Sequence, residues 1–593
     1  MEKEKDVDAR VQPGHDGPVM ASLRKISVLA ADPLVPAMGM AVALATLVIL
    51  ALLGTVLFLG FVTSSVGDAA LRFGLANYAE ILGRPELPAI ALNTLIFSAI
   101  ALAVALAFGL PLAWLVERSD LGGKGFVLSA MLVSLLVPAF ASAMGWLFLL
   151  HPRIGLVNVL AMRELGFADP PFNILSLAGM GWVQGLNLTP VTFLMLAGAL
   201  RAMDPALEEA GLMSGAGPAA LLRRVTLPVL RPALLSAMIY VWMIAVGTFD
   251  VPAIIGWGNR IFTFSTYIYL LSSPQDVLPR FGAAAALSSM MLALCLLLTW
   301  QYAALTRQAH RYAIITGKNY RPRRQALGAA RHLAWAFIAL YLALAVLAPI
   351  LVLIWSSLLP FMQIPTAATM KLLSLQQYDN LPWPLIWLAL KNSSLLLLGA
   401  PTLVLVLSFA FSWIGLRSRA PGRGALDSIA FLPHSVPSIV LGTGGLLAAL
   451  FLLAKLVNLY GTLTLLLNVF AAVWISYGTR ITNNGLLQIH RELEESARTS
   501  GATSFGVVRR VVLPLMRRSL AFAWLYLAIL TLRELTIAVI LTTPRNITLP
   551  VVVWTQWANG GLAKAAACAV LFLLLAAPLI GVTVFAMQRA ERT

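Results

Sequence analysis

Two polar segments of the sequence carry the side chains best suited to chemistry, and they share one pattern. Residues 207–234 read LEEAGLMSGAGPAALLRRVTLPVLRPAL, and residues 493–520 read LEESARTSGATSFGVVRRVVLPLMRRSL. Aligned without gaps, 13 of the 28 positions are identical, including two glutamates, a glycine, two arginines and a Leu-Pro pair. Carboxylate and guanidinium groups suit charge-assisted contact with a partner surface. Because the pattern occurs twice, it predicts two equivalent docking sites for a two-fold partner.

Each polar segment is predicted to fold as a short helix, a tight turn and a second short helix. In the first copy, Asp204 is a suitable N-cap and Pro205 suits the first helical turn. Gly215 and Gly217 can end this helix because glycine accepts the left-handed conformation, and Pro218 starts the second helix. In the second copy, Thr503 and Ser504 can cap the second helix. The arginine pairs of both copies face either the partner or lipid headgroups.

Three charged residues lie well inside predicted apolar spans, away from the span ends, namely Asp250, Arg533 and Glu534. Charge within a bilayer is costly, so such residues commonly mark a transport pathway. A second reading is structural, with Arg533 paired to Asp250 or Glu534 or reaching the membrane interface. The sequence leaves both readings open.

The sequence shows no arrangement typical of a catalytic or metal site. Its six histidines are scattered, so neither catalytic residues nor metal ligands are predicted. The phosphate-binding run G-x-x-x-x-G-K-[ST] is missing, because Asn319 follows Gly317-Lys318 and Tyr312 occupies the position of the first glycine. The chain is therefore not expected to be an enzyme or to hold a cofactor of its own.

The composition indicates that lipid surrounds the elements that position these residues. Of the 593 residues, 60% are hydrophobic and 11% are charged, whereas soluble domains carry about 25% charged residues. A membrane-spanning helix needs about 20 mainly apolar residues. Twelve segments qualify, near 36–62, 88–116, 126–150, 174–200, 233–256, 281–305, 334–359, 386–416, 426–453, 460–480, 519–543 and 566–588. The sequence thus predicts an all-α membrane protein with about twelve transmembrane helices.

Further matches between the two halves occur at a constant offset of 299 residues. The matched residues in the first half are Asn93, Trp114, Arg118, Ser119, Gly123, Gly125, Val137 and Pro138. Shared apolar composition does not explain matches at such residues. The halves are therefore predicted to be parallel six-helix repeats, related by an axis along the membrane normal. We expect an N-terminal tail at 1–35, repeats at 36–306 and 334–593, and a basic linker at 307–333.

The distribution of positive charge predicts the orientation in the membrane. The net charge is +17, and most of the 42 Lys and Arg residues fall on the side of the N-terminus, including both polar segments and the linker. Lys and Arg are biased to cytoplasmic loops. Both termini are therefore expected in the cytoplasm, and the basic charge indicates membrane topology rather than nucleic-acid binding.

The polar segments resemble the cytoplasmic loops of the membrane-spanning subunits of ATP-binding-cassette importers. That signature reads E-A-A, three residues, G, nine residues and I-x-L-P. Glu209, Gly215 and Pro228 stand at its spacing in the first copy, as do Glu495 and Gly501 in the second. The resemblance implies that ATPase subunits contact Glu208, Glu209, Gly215, Leu227, Pro228, Glu494, Glu495, Gly501, Leu513 and Pro514.

The same resemblance implies a fold like that of type I importers and a set of partners. Two copies of an ATPase subunit, which use ATP and Mg²⁺, would bind the two loops. A periplasmic binding protein would deliver the substrate to the outer loops near 63–87, 151–173, 257–280, 360–385 and 544–565. The chain is therefore expected to be a multi-pass protein of the bacterial inner membrane.

Within this family, the chain looks most like the fused permeases for ferric iron. The similar stretches are 173–180, 248–252 and 533–536. Fused thiamine permeases and the polyamine and aminophosphonate permeases share much of this pattern, so those substrates stay open. Outside the family, a twelve-helix secondary transporter driven by an ion gradient is the main competing class. Such transporters need intramembrane carboxylates, and this chain has few.

Overall fold

The structure is a computed structural model that describes residues 34–63, 72–273, 279–309, 325–418 and 422–592. The predicted N-terminal tail and most of the predicted linker lie outside these ranges. The helices of the first repeat are α1 (Leu34–Phe61), α2 (Ala76–Leu82), α3 (Leu87–Arg118), α4 (Lys124–Leu136), α5 (Ala139–Leu150), α6 (Leu156–Glu164), α7 (Leu177–Ala202), α8 (Pro205–Met213), α9 (Pro218–Leu221), α10 (Leu227–Gly247), α11 (Phe264–Ser272) and α12 (Phe281–Ala309).

The second repeat has its long helices in the same order, with different short helices between them. It contains α13 (Ala330–Leu342), α14 (Ala348–Ser357), α15 (Ala367–Met370), α16 (Gln376–Asp379), α17 (Trp383–Arg417), α18 (Arg423–Phe431), α19 (Ser438–Leu447), α20 (Leu463–Leu487), α21 (Arg491–Thr499), α22 (Ser504–Val507), α23 (Leu513–Leu532), α24 (Thr536–Leu541), α25 (Leu549–Ala558) and α26 (Leu562–Arg592). An all-helical membrane architecture of two repeats is thereby confirmed.

Ten of the predicted spans are single helical segments, and two are sharply bent pairs. The segments α4 and α5 meet at 90°, and the matching segments of the second repeat meet at 101° before Ser438. Both bends fall at a Val-Pro pair, Val137-Pro138 and Val436-Pro437, where each valine is extended. Proline disfavours the α conformation at the residue before it, so the helix must end there. The number of spans agrees with the prediction of about twelve when each bent pair is counted as one span.

Two further predicted spans end early. The span predicted at 233–256 stops as a continuous helix at Gly247, and the one predicted at 519–543 stops at Leu532. Apolar composition continues past both points, which is why hydropathy placed the ends too late. A π-helical turn over Pro252–Gly256 and the short helix α24 follow the two breaks.

The first helix of each repeat packs on the bent pair of the other repeat. Helix α1 contacts α19, and α14 contacts α5. Gly145 and Gly444, which are 299 residues apart, allow this approach. A Cβ atom at Gly145 would lie 2.5 Å from the carbonyl oxygen of Pro349, and one at Gly444 would collide with the carbonyl oxygen of Leu52. Small residues permit such close helix packing in membranes, so the two repeats hold each other through equivalent contacts.

Within each repeat, the second and fourth spans form the tightest pair. Gly181 and Gly185 of α7 face Ile100 and Val104 of α3, where added Cβ atoms would clash. In the second repeat, α17 packs along α20 in the same way. Lipid provides little hydrophobic drive for helices to associate, so close van der Waals packing of this kind stabilises the bundle.

Matched polar residues on α3 and α17 anchor the loops at the end of the bundle opposite the polar segments. The Asn93 side chain donates to the carbonyl oxygen of Phe262 at 3.1 Å, and Asn392 donates to those of Arg545 and Ile547 at 3.1 and 2.9 Å. These contacts satisfy backbone groups of non-helical segments, which the bilayer cannot solvate. The match at offset 299 therefore reflects a shared structural role.

The end of the linker is fixed to the first repeat beside α3. Asp120 accepts the backbone N–H of Leu327 at 2.9 Å and pairs with Arg331 at 2.9 Å. The hydrogen bond from Leu327, aided by the Arg331 charge, holds the pKa of the Asp120 carboxyl below its usual range. The second repeat therefore starts from a fixed point on the first.

Replacing Gly444 by alanine is expected to destabilise the protein by about 1–3 kcal/mol, because the new methyl group overpacks the contact with Leu52. The matched control is Gly54→Ala in α1, where nothing lies within 4 Å of an added Cβ. Alanine favours helix over glycine by about 1 kcal/mol, so this control should be neutral or stabilising. Thermal unfolding of the purified chain in detergent measures both. Equal midpoints for the two variants would contradict the close approach.

Candidate functional site

The repeated polar loops, residues 204–228 and 490–514, each begin with a nine-residue helix, α8 or α21. Asp204 caps α8 by accepting the backbone N–H of Ala206 at 2.9 Å, as the sequence predicted. His490 is the N-cap residue of α21, without a side-chain cap bond. Thr503 caps α22 by accepting the N–H of Gly506 at 3.1 Å, which was also predicted.

Both loop helices end in the same glycine turn. Gly215 and Gly501 have φ values of 81° and 87°, in the left-handed region that favours glycine. The N–H of Ala216 bonds to the carbonyl of Gly211 at 3.1 Å, and Ala502 bonds to Ala497 at 3.0 Å. This six-to-one bond is the Schellman arrangement, which satisfies carbonyls left free at a helix end. The glycines are required by the turn, and both are exposed.

The second part of each loop differs from the prediction of a separate short helix. In the first loop, α9 continues through a π-helical turn, Leu222–Thr226, directly into α10. The turn closes with Leu227 N–H bonded to the carbonyl of Leu222, one residue wider than an α-helical bond. Val508–Val512 has the same form before Leu513. Since Pro228 and Pro514 lack a backbone donor, the wider turn lets the helix pass without breaking.

A buried ion pair joins each loop to the end of the second span of its repeat. Arg118, the last residue of α3, pairs with Glu208 at 3.0 Å, and Arg417, the last of α17, pairs with Glu494 at 2.7 Å. All four side chains are at most 10% exposed. The sequence placed Arg118 and Arg417 among its matches, but it gave no indication that they contact the loop glutamates.

The two buried ion pairs, Arg118–Glu208 and Arg417–Glu494, are called the clamps of the loops, and they differ in their additional hydrogen bonds. Arg417 also donates to the carbonyls of Leu486 and Ile489 at 2.8 and 2.9 Å. In the first loop, Glu208 accepts a bond of 2.7 Å from Thr226, and Nη2 of Arg118 has no partner. Removing one partner of a buried pair leaves an uncompensated charge, so each loop depends on its arginine.

The exposed surface of the loops holds the remaining predicted contact residues. Leu207 and Leu493 are 42% and 50% exposed. Glu495 is exposed and Glu209 half-buried, and Pro228, Leu513 and Pro514 are exposed while Leu227 is half-buried. The arginine pairs 223–224 and 509–510 are exposed as well. A partner would therefore meet two similar surfaces, each an exposed leucine beside a glutamate.

The three charged residues predicted inside spans all line one cavity between the repeats. This central cavity has a volume of about 250 Å³ and is bordered by Asp250, Arg533 and Glu534. All three lie next to helix breaks: Asp250 begins the helical turn that follows the end of α10, and Arg533 and Glu534 separate α23 from α24. The sequence placed them at matching depth, but the convergence on one cavity is a tertiary result.

The contact between Asp250 and Thr536 locates the pseudo-two-fold axis. These residues are 286 apart and are thus repeat equivalents, yet the Thr536 hydroxyl donates to Asp250 Oδ1 at 3.1 Å. A residue that touches its own equivalent lies next to the symmetry axis. The space between the repeats is therefore closed along the axis at this level.

Arg533 does not form the ion pairs suggested by the structural reading. Among the described residues, no Lys or Arg nitrogen lies within 4.0 Å of either Asp250 or Glu534. Arg533 instead donates to the carbonyl oxygen of Leu135, near the end of α4. Glu534 accepts the backbone N–H of Ile537 at 3.1 Å, at the start of α24. Each side chain thus satisfies a backbone group freed by a helix break.

Polar residues that the sequence analysis missed complete the wall of the cavity. Gln184, Asn187, His434, Trp474 and Tyr477 line it. Gln184 and Asn187 lie three residues apart on α7, hence on one helix face. The sequence could have indicated these two residues, because their amide side chains fall on one face of a mainly apolar span.

Aromatic rings bound the cavity on two sides. At the end away from the loops, Phe249 packs with Tyr269 and Trp554 at centroid distances of 5.3 and 6.1 Å. On another side, the Tyr240 hydroxyl bonds to Nε2 of His434 at 2.9 Å, and His434 packs against Tyr477 at 5.1 Å. His434 and Tyr477 also line a second, mostly apolar cavity of about 340 Å³, so these rings separate the two spaces.

Comparison with known families identifies the class of protein. The family described as the binding-protein-dependent transport system inner membrane component matches twice, at residues 109–311 and 409–591. The chain belongs to this family. Each match contains one repeated loop and one bent pair, so the duplication seen in the structure is a duplication of the family domain.

Curated relatives extend over most of the chain. An Fe(3+)-transport system permease protein of Haemophilus influenzae, FbpB 2, is 23% identical over 88% of this chain and 93% of its own length. The ferric transport system permease protein FbpB of Actinobacillus pleuropneumoniae is 24% identical over 76% of this chain and 64% of its own length. The trehalose/maltose permease MalF of Thermococcus litoralis is 27% identical over 40% of this chain and 79% of its own length.

The family settles the biochemical class that the sequence predicted. The chain is a permease of an ATP-binding-cassette importer, a transporter subunit rather than an enzyme, and a multi-pass inner-membrane protein. Its family works with an ATPase and a periplasmic binding protein. The competing reading as a secondary transporter is thereby excluded.

The clamp between α17 and the second loop generates a testable expectation. Arg417→Leu leaves Glu494 buried without a partner, which costs about 3–5 kcal/mol. We expect the loop to loosen while the spans stay folded, measured as faster hydrogen exchange over residues 491–512. The double variant Arg417→Leu/Glu494→Leu removes both charges and should recover most of the protection.

The control for this experiment is Arg423→Leu, which removes an exposed arginine whose bond among the described residues is to the Ser418 carbonyl. Exchange in the loop should not change in this variant. Unchanged exchange in Arg417→Leu itself would show that the ion pair does not hold the loop.

Proposed function

We propose that this chain forms the translocation path of an importer for ferric iron. The observation that supports the substrate is the likeness to ferric permeases, which covers most of the chain in one alignment and both repeats. The path would pass between the repeats through the central cavity, with Asp250, Arg533 and Glu534 in its wall. The alternative substrates are thiamine, polyamines and aminophosphonates, whose permeases share much of the same sequence pattern.

Coupling to ATP would occur at the two repeated loops. Helices α8 and α21 present matching leucine and glutamate side chains, and each is tied by its buried ion pair to a span that packs along a helix of the cavity wall. Two equivalent surfaces suit two copies of an ATPase subunit, one per loop. ATP and Mg²⁺ would be used in those subunits, since this sequence has no phosphate-binding run.

The orientation follows from the same assignment. The loops would lie in the cytoplasm, with both termini on the same side, as the distribution of Lys and Arg favours. The binding protein would dock at the opposite end of the bundle, where α11 and α25 lie. Nucleotide-driven movement of the loops would then shift the repeats between states that open the cavity to opposite sides.

Reconstitution tests this proposal directly. The chain is placed in vesicles with its ATPase and binding protein, and accumulation of radioactive ferric iron is compared with that of labelled thiamine. We expect ATP-dependent accumulation of iron, inhibited by vanadate, and none of thiamine. Iron uptake by vesicles that lack the ATPase would contradict the coupling assignment, and uptake of thiamine alone would contradict the substrate.

A further inference from the structure

We infer that the central cavity binds a cation at a site between the repeats that is formed by Asp250, Glu534 and Gln184. This cation-binding site is called the station below. This inference rests on the proposed function, because it concerns the solute that crosses through the same cavity. It adds the charge of the species that is bound and the residues that select it. Four observations carry it.

The first observation is the charge of the cavity wall. Asp250 and Glu534 are two carboxylates facing one space with a single guanidinium, Arg533. The wall therefore has a formal charge of −1, in a chain whose overall charge is +17. Uncompensated charge within the membrane is costly, so a bound cation stabilises this arrangement and an anion destabilises it.

The second observation is that the arginine is fixed elsewhere. Arg533 donates to the carbonyl oxygen of Leu135 at the end of α4, and no cationic nitrogen of the described chain lies within 4.0 Å of either carboxylate. The carboxylates instead accept uncharged donors: Asp250 accepts from the Thr536 hydroxyl, and Glu534 accepts from the backbone N–H of Ile537. The negative charge of the two carboxylates is thus not neutralised by an ion pair within the described protein.

The third observation is an unused acceptor in the same wall. Gln184 is 4% exposed, and its Nε2 donates to the Thr248 hydroxyl at 2.9 Å. That hydroxyl gives its own proton to the carbonyl of Ile244 at 2.9 Å, so it can only accept from Gln184. This fixes the orientation of the amide and leaves Oε1 without a partner. Buried polar atoms are normally hydrogen-bonded, and the same wall has two donors without partners, Nδ2 of Asn187 and Nε1 of Trp474. The free acceptor and the free donors together indicate a ligand that brings hydrogen-bonding groups of its own, as a cation with bound water does.

The fourth observation concerns the kind of cation. Carboxylate and amide oxygens suit hard metal ions, but within the described residues no three His, Cys, Asp or Glu side chains are grouped to hold a bare ion. The cavity of about 250 Å³ has room for an ion with its own water or anion ligands. The station therefore fits a hard metal ion that keeps most of its ligands, bound by charge and outer hydrogen bonds.

The competing account is structural, with both carboxylates serving only the helix breaks at which they stand. The two accounts differ in what a probe cation does. Terbium(III) is a hard trivalent ion whose luminescence is excited by a nearby tryptophan, and Trp474 lines this cavity. Titration of the purified chain with Tb³⁺ alone therefore measures cation binding at the station and requires neither transport nor ATP.

We expect the double variant Asp250→Asn/Glu534→Gln to weaken the tryptophan-sensitised Tb³⁺ binding at least tenfold, and each single variant to weaken it severalfold. Gln184→Leu should weaken it and Gln184→Glu should strengthen it. Thr536→Val removes the hydrogen bond to Asp250 but keeps both charges, so binding should be retained. Asp379→Asn, an exposed carboxylate outside the cavity, is the matched control and should not change binding.

Uptake by the reconstituted complex supplies the second readout. Asp250→Asn and Glu534→Gln should each lower iron uptake at least tenfold, while ATP hydrolysis stimulated by the binding protein stays within twofold and shows that the complex is folded. Iron uptake and Tb³⁺ binding that both match the wild type in the double variant would overturn the station and leave the proposed function intact. A complex that binds Tb³⁺ through these residues but transports no iron would overturn the proposed substrate and leave the station intact.

Discussion

Backbone groups freed by a broken helix have no water to bind inside a bilayer, so they must find partners within the protein. Four spans are broken in the part of the chain that the structure describes, at the two Val-Pro pairs and after Gly247 and Leu532. The four breaks meet at the interface of the repeats. Arg533 satisfies the carbonyl of Leu135, and Glu534 the N–H of Ile537. The polar cavity is the direct consequence, because the groups that satisfy the breaks cannot face lipid.

The interface that gathers these breaks depends on helices exchanged between the repeats. Helix α1 lies against the bent pair of the second repeat, and α14 lies against that of the first. In both contacts a glycine of the bent pair lets the backbone of the other helix approach closely. Neither repeat could form this contact alone. The same exchange gives a continuous path of packed elements from loop to cavity: Arg118 holds the first loop to α3, α3 packs along α7, and α7 carries Gln184.

The two repeats share a scaffold but differ where they approach the axis. Asp250 has Thr536 as its equivalent, Arg533 has Gly247, and His434 has Leu135. In each of these pairs of equivalent residues, one member is charged or ionisable and the other is neutral. Duplication supplied two copies of the spans and loops, while divergence at the axis produced a cavity with a net charge. A fused chain permits this, because its two halves can change independently.

The sequence alone determined the membrane class, the duplication, the repeated loops and their capping residues, because these depend on composition, offset and local hydrogen bonding. It placed Asp250, Arg533 and Glu534 at equivalent depths, but hydropathy does not report where an apolar helix stops, so the breaks beside them were missed. The tertiary structure alone decided that Arg118 and Arg417 clamp Glu208 and Glu494, and that Gln184 of the first repeat shares a cavity with Glu534 of the second. These contacts join residues tens to hundreds of positions apart. The two ion pairs depend on how the helices of each repeat pack, and the shared cavity depends on how the two repeats pack on each other.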